Sequence, residues 1–160
     1  MTQDNQELKN LNVLIIDDDI DNVKKDFLKN TTEFISKQNG CIFRFEFAED
    51  PSTVLKQLTY SEVSYDAILL DINFSKLKLE NDNFYSTKRI DKKQLGIFTL
   101  KEIKKIDPRI PVLMLTLITD PILAADTGRY QADDYITKPS IGGEKGIDSL
   151  CEKIYSRWKK

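Results

Sequence analysis

The stretch Asn12-Val-Leu-Ile-Ile-Asp-Asp-Asp19 runs four apolar residues directly into three carboxylates. Val13 to Ile16 is rich in β-branched residues and does not alternate with polar ones, the pattern of a strand covered on both faces, as in a parallel sheet. Carboxylates crowded at the end of such a strand repel one another, which raises their pKa values unless a cation sits among them. The stretch therefore asks for a cationic partner elsewhere in the chain.

Composition narrows the chemistry. With 160 residues and 40% hydrophobic content, the chain is long enough to bury a core as one domain without disulfide or metal staples. Lys plus Arg number 24 against 26 Asp plus Glu, so no basic excess points to direct contact with nucleic acid. The longest apolar run, Val112 to Ile118 interrupted by Thr116, is too short to cross a bilayer. Cys41 and Cys151 read as reduced thiols, and the N-terminus lacks an export pattern, which together suggest a cytoplasmic protein. The absence of histidine excludes Ser-His-Asp and Cys-His nucleophiles and every His-dependent zinc site. Chemistry here must run on carboxylates, hydroxyls, lysines and hard cations.

Periodicity organises the chain. Residues 1–10 read as a flexible polar tail and 11–160 as one domain. Ile20, Val23, Phe27, Thr31, Phe34 and Ile35 recur at helical spacing, so one long first helix is predicted, capped by Asp19 and ended by Asn39-Gly40. Cys41 to Phe47 reads as a strand with one more exposed face, and Asp50-Pro51 opens a short helix carrying Val54, Leu55 and Leu58. Ala67 to Leu70 is a third apolar strand, again ending in a carboxylate, Asp71. Residues 75–94 carry no period and read as a long inserted loop, richer in basic than acidic residues and expected at the rim of the site. A helix follows from Gly96 to Ile106, then a strand from Pro111 to Leu115 ending at Thr116. Next come a helix from Asp120-Pro121 to about Arg129, a strand from Asp134 to Thr137 ending at Lys138, and a last helix striped by Ile147, Leu150, Cys151, Ile154 and Trp158. Five βα repeats make an α/β fold: a doubly wound parallel sheet with helices on both faces, joined by right-handed crossovers.

In such a sheet the carboxyl ends of the strands form the ligand crevice. Asp17, Asp18, Asp71, Thr116 and Lys138 all stand at strand ends. Each alone has a plain explanation, as a turn carboxylate, a helix cap, a backbone-bonded hydroxyl or a surface lysine. Together they offer oxygen ligands for a hard cation such as Mg²⁺, a carboxylate nucleophile, a hydroxyl donor and an ammonium. Those parts suit phosphoryl transfer onto Asp71, a reaction that needs charge stabilisation and positioning more than covalent help.

The runs Ile15-Ile-Asp-Asp-Asp19, Tyr65-Asp-Ala-Ile-Leu-Leu-Asp-Ile72, Pro111-Val-Leu-Met-Leu-Thr116 and Ala132-Asp-Asp-Tyr-Ile-Thr-Lys-Pro139 resemble the receiver domain of two-component response regulators over about residues 11–158. The resemblance implies a flavodoxin-like sheet of five parallel strands in order 2-1-3-4-5. It implies that Asp71 accepts phosphate from a phosphohistidine of a sensor histidine kinase or histidine phosphotransfer protein. Mg²⁺ would be held by Asp17, Asp18, Asp71 and the Asn73 carbonyl, with Thr116 and Tyr135 as switch residues and a cis Lys138-Pro139 peptide aiming the lysine at Asp71. Such a domain catalyses its own phosphorylation and slow dephosphorylation without being a multiple-turnover enzyme. Its output would pass to a downstream protein or a further domain, with homodimerisation through the fourth helix, fifth strand and final helix. Two other readings of the same residues are a binding module that keeps the fold without phosphorylation, and a phosphohydrolase of the haloacid dehalogenase type.

Overall fold

A computed structural model describes residues 8–27, 33–36, 39–61, 63–74, 76, 77, 94–116, 129, 131–138 and 143–160. Its elements are β1 (Lys9–Ile16), α1 (Ile20–Phe27), β2 (Glu33–Ser36), β3 (Cys41–Ala48), α2 (Pro51–Tyr60), β4 (Ala67–Asp71), α3 (Leu95–Ile106), β5 (Val112–Thr116), β6 (Asp134–Thr137) and α4 (Gly143–Trp158). The sheet order is β2-β3-β1-β4-β5-β6. The pairs β3 with β1, β1 with β4, β4 with β5 and β5 with β6 are all parallel, which is the expected 2-1-3-4-5 order.

The unalternating strands are explained by two cores. Val13, Ile15, Leu69, Leu113 and Leu115 pack with Ile147, Leu150, Cys151 and Ile154 of α4 on one face. Their neighbours Leu14, Ile16, Ile68, Leu70, Val112 and Met114 pack on the other face with Val54 and Leu55 of α2 and Leu95, Leu100 and Ile103 of α3. Successive side chains point to opposite faces, so a strand buried on both must be apolar throughout. In β3 Cys41, Phe43 and Phe45 are buried in a core, with Phe47 packed against it, while Arg44 and Glu46 are exposed, which is why that segment alternates. Both cysteines are free and buried. No helix among the described residues is long and apolar enough to cross a membrane.

The first helix differs from expectation. α1 covers Ile20–Phe27, and Glu33–Ser36 forms a sixth strand, β2, antiparallel to β3 with Phe34 opposite Phe43 and Ile35 opposite Ile42. The apolar spacing that suggested helix fits a strand equally over four residues, and aromatic and β-branched residues favour the pleated surface. Asn39-Gly40, with Gly40 at φ 60°, is a turn leading back into β3 rather than a helix stop. β1 also starts earlier than the sequence suggested. Lys9 and Asn10 pair with Cys41 and Ile42, and the Lys9 ammonium lies 4.0 Å from the Trp158 ring centroid, drawing the end of the presumed tail into the sheet. The rest of the tail, the 78–93 part of the insertion, the helix expected to begin at Asp120 and the Lys138-Pro139 peptide fall outside the described residues.

Helix starts position the sheet's carboxyl edge. Asp50 caps α2 as expected: its carboxylate accepts from the Ser52 N–H at 3.0 Å, the Ser52 hydroxyl at 2.8 Å and the Thr53 hydroxyl at 3.0 Å, and Pro51 occupies the first turn. α3 begins against the loop after β4. The Gly96 N–H donates to the Ile72 carbonyl at 3.2 Å, and a Cβ on Gly96 would lie 2.5 Å from Ile72 Cα and 2.6 Å from its oxygen. Only glycine lets the helix approach the backbone that carries Asp71. Gly96→Ala should therefore lower stability by about 1–3 kcal/mol, the usual cost of overpacking a closed contact. Urea denaturation measures this; an unchanged midpoint would show that α3 does not rest on Asp71 and Ile72 as described.

Candidate functional site

Strand order reverses beside β1, and the crevice opens there. Ile16 pairs with Leu70, so the next residues, Asp17 and Asp71, leave adjacent strands at the same level. Asp71 pairs with Leu115 across β5, and Thr116 pairs with Thr137, the residue before Lys138. The parallel register thus brings the expected site residues to one edge, although they lie far apart in sequence.

Asp17 is wholly buried and Asp71 is 5% exposed. The Lys138 ammonium stands 2.5 Å from Asp17 Oδ2 and 3.3 Å from Asp71 Oδ2. It compensates the charge of Asp17 Oδ2 without lying along a hydrogen-bonding direction, so that buried oxygen has no aligned donor. Asp17 Oδ1 accepts from the Asp19 N–H at 2.9 Å, and Asp71 Oδ1 accepts from the Asn73 N–H at a long 3.4 Å. Asp18 turns toward the chain after β4, where its Oδ2 accepts from the Lys76 N–H at 2.6 Å and the Leu77 N–H at 3.0 Å.

The electrostatics follow from three carboxylates facing one close ammonium. Burial, and behind it the Asp17 charge, pushes the Asp71 carboxyl up to about 7 against the pull of Lys138. Burial, helped by the Asp17 charge, also raises Asp18 against its two backbone donors. Burial alone would lower Lys138, but Asp71 and Asp17 outweigh it, so its pKa is raised and the ammonium persists. Asp17, Asp18 and Asp71 each bring a carboxylate oxygen within 4.8 Å of the others. Hard oxygen donors at this separation, one of them buried without an aligned donor, fit a hard divalent cation.

The other expected residues divide. Thr116 ends β5 beside the site, but its side chain is not among those described. Tyr135 lies on β6, half-buried against the core that holds Met114 and α3. Asp19 begins α1 through its carbonyl, which accepts from the Val23 N–H at 3.1 Å. Its carboxylate serves a second purpose: it accepts from the Asn22 side chain and pairs with Lys76 Nζ at 2.6 Å. That pairing, with the main-chain contacts of Lys76 to Asp18, was not legible in sequence, where Lys76 is one of several lysines in an aperiodic stretch. Gly96 was legible only as a helix start, and the backbone beneath it is a tertiary fact.

A family model described as the response regulator receiver domain matches residues 13–145. The transcriptional regulatory protein ZraR of Escherichia coli (strain K12) is 27% identical over 130 residues, which is 81% of this chain and 23% of that protein. The chain thus spans about a quarter of the length of this curated relative. Among solved structures, a two-component response regulator from Clostridium difficile superposes with a TM-score of 0.60 at 20% identity, covering 94% of this chain and 97% of that one. A CheY-like response regulator receiver domain protein from Methanospirillum hungatei JF-1 gives 0.59 at 19% identity, covering 95% and 98%. These two structures share the fold, and the family match spans every strand end described above, from Asp17 and Asp18 through Asp71 and Thr116 to Lys138. The chain belongs to the response regulator receiver domain family.

Proposed function

We propose that the protein is a phosphoacceptor switch in which Asp71 takes a phosphoryl group from a phosphohistidine of a sensor kinase or phosphotransfer protein. The observation that carries this reading is the pair of contacts from Lys138 to Asp17 and Asp71 at the mouth of an acidic crevice. An Asp71 carboxylate oxygen would attack phosphorus as the bond to the histidine nitrogen breaks, giving an aspartyl phosphate and a free imidazole on the donor. Lys138, already 3.3 Å from Asp71, would hold a phosphoryl oxygen, and the Thr116 hydroxyl would hold another. Asp17, Asp18, Asp71 and the Asn73 carbonyl would hold Mg²⁺, which when bound neutralises phosphoryl charge and the carboxylate crowd.

The change would pass from Thr116 through Tyr135 on β6 to the face of β6, α4 and the helix expected from Asp120. There it would alter affinity for a downstream protein, a further domain of a longer regulator, or a second copy. The setting would be the cytoplasm, where histidine kinases present their phosphohistidines. A haloacid-dehalogenase-type phosphohydrolase is disfavoured because its Asp-x-Asp pair would need a carboxylate where Asn73 stands. A module that keeps the fold without phosphorylation would have no need of a half-buried lysine shared between two buried aspartates.

Incubation with acetyl phosphate and Mg²⁺ should add one phosphoryl group to the wild type and none to Asp71→Asn, as read by intact mass. Equal labelling of both proteins would remove Asp71 from the role. Stability should also depend on pH in a cation-free, chelated buffer. Because the folded-state pKa of Asp71 is raised, the folded protein holds that proton more tightly than the unfolded chain, and stability falls as pH rises from about 4 to about 7. Asp71→Asn removes this penalty and should gain about 4 kcal/mol over the wild type at pH 8, with little gain at pH 4. Denaturant melts at the two pH values check it; a gain of equal size at both would assign the effect to packing instead of charge.

A further inference from the structure

The three consecutive aspartates are served by two lysines. Lys138, which follows β6 at the same edge, serves Asp17. Lys76, five residues after Asp71, serves the other two. Its backbone N–H and that of Leu77 both donate to one oxygen of Asp18, at 2.6 and 3.0 Å, while its ammonium lies 2.6 Å from Asp19 Oδ2. The short segment after β4 is thus fastened to the acidic edge by main chain and side chain together. Leu77 N–H also reaches the Phe74 carbonyl at 3.2 Å, which keeps the two amides on the same side of the turn.

We infer that Lys76 is a tethered cation that holds the acidic edge in the cation-free protein and opposes a divalent ion there. This rests on the reading of Asp17, Asp18 and Asp71 as the ion's ligands. Two effects act in the same direction. The Lys76 charge sits beside Asp19, next in sequence to a ligand, and repels a second cation. Asp18 Oδ2 already accepts two hydrogen bonds, so coordination through it must weaken them or share the oxygen. Coupling of this kind is reciprocal: an ion that draws on Asp18 loosens the hold on Lys76 and Leu77 as much as that hold weakens the ion. Occupancy of the site is thereby transmitted to the point where the chain's inserted segment begins. The Lys76 side chain is 58% exposed, so solvent screening keeps the effect modest.

Calorimetric titration with Mg²⁺ tests the inference on the wild type, Lys76→Met, which keeps the apolar stem and removes the charge, and Lys153→Met on α4 as a remote charge control. Lys76→Met should bind Mg²⁺ about two- to five-fold more tightly than the wild type, the range of an exposed ion pair, with Lys153→Met unchanged. In the wild type, the amide NMR signals of Lys76 and Leu77 should shift with the same midpoint as binding. Equal or weaker binding by Lys76→Met, or amide signals that stay fixed while the ion binds, overturns the role of Lys76 and leaves the ligand assignment standing. Failure of all three proteins to bind Mg²⁺ overturns the ligand assignment and this inference with it.

Discussion

The site depends on holding Asp17 and Asp71 side by side at the end of a sheet buried on both faces, where ionising the second carboxyl is costly. Lys138 is the counterweight, 2.5 Å from one carboxylate and 3.3 Å from the other. One ammonium does not neutralise two buried carboxylates with a third close by, and burial, followed by the Asp17 charge, raises the Asp71 pKa against the pull of Lys138. A buried group that is costly to ionise is a poor structural ion pair and a good reaction centre, because a cation or an electrophilic phosphorus relieves the cost. Stability given up by the resting protein becomes affinity for what the site accepts.

Sheet topology sets that geometry. Parallel register delivers Asp17 and Asp71 at one level from β1 and β4, and it delivers Thr116 and Lys138 from β5 and β6. The backbone behind Asp71 is braced by α3, which touches it through Gly96 with no room for a side chain. Asp50, outside the crevice, fixes the start of α2, whose Val54 and Leu55 complete the core beneath β1 and β4. The charged residues stand at the edge of a frame whose apolar packing leaves little freedom.

Most of this frame was legible because its signals are local and redundant. Val13 to Ile16, Ala67 to Leu70 and Val112 to Leu115 each lack alternation for the same reason, burial on two faces, and each ends in a polar residue at the same edge. At Glu33–Ser36 the same apolar spacing serves helix and strand over a short window, and pairing with β3, a long-range fact, makes the choice. Asn39-Gly40 serves equally as a helix stop and as a hairpin turn, and the antiparallel pairing of β2 with β3 makes it the turn. Lys76 could not be singled out among neighbouring lysines, since its importance comes from where the turn after β4 places its amide and ammonium relative to Asp18 and Asp19. The double duty of Asp19 was hidden for the same reason: a carboxylate before a helix reads as a cap wherever its side chain finally points.

The central claim is that one crevice gathers cation, phosphoryl group and Lys138 on Asp71. A crystal structure of the protein with Mn²⁺ and beryllium fluoride, phased to reveal the anomalous signal of the metal, tests it most directly. The expected result is Mn²⁺ bound by oxygens of Asp17, Asp18 and Asp71 at about 2.2 Å, with the fluoride adduct on an Asp71 oxygen and Lys138 Nζ against one of its fluorines. Metal density elsewhere, or an adduct-free Asp71 with Lys138 still bound to Asp17, would contradict it.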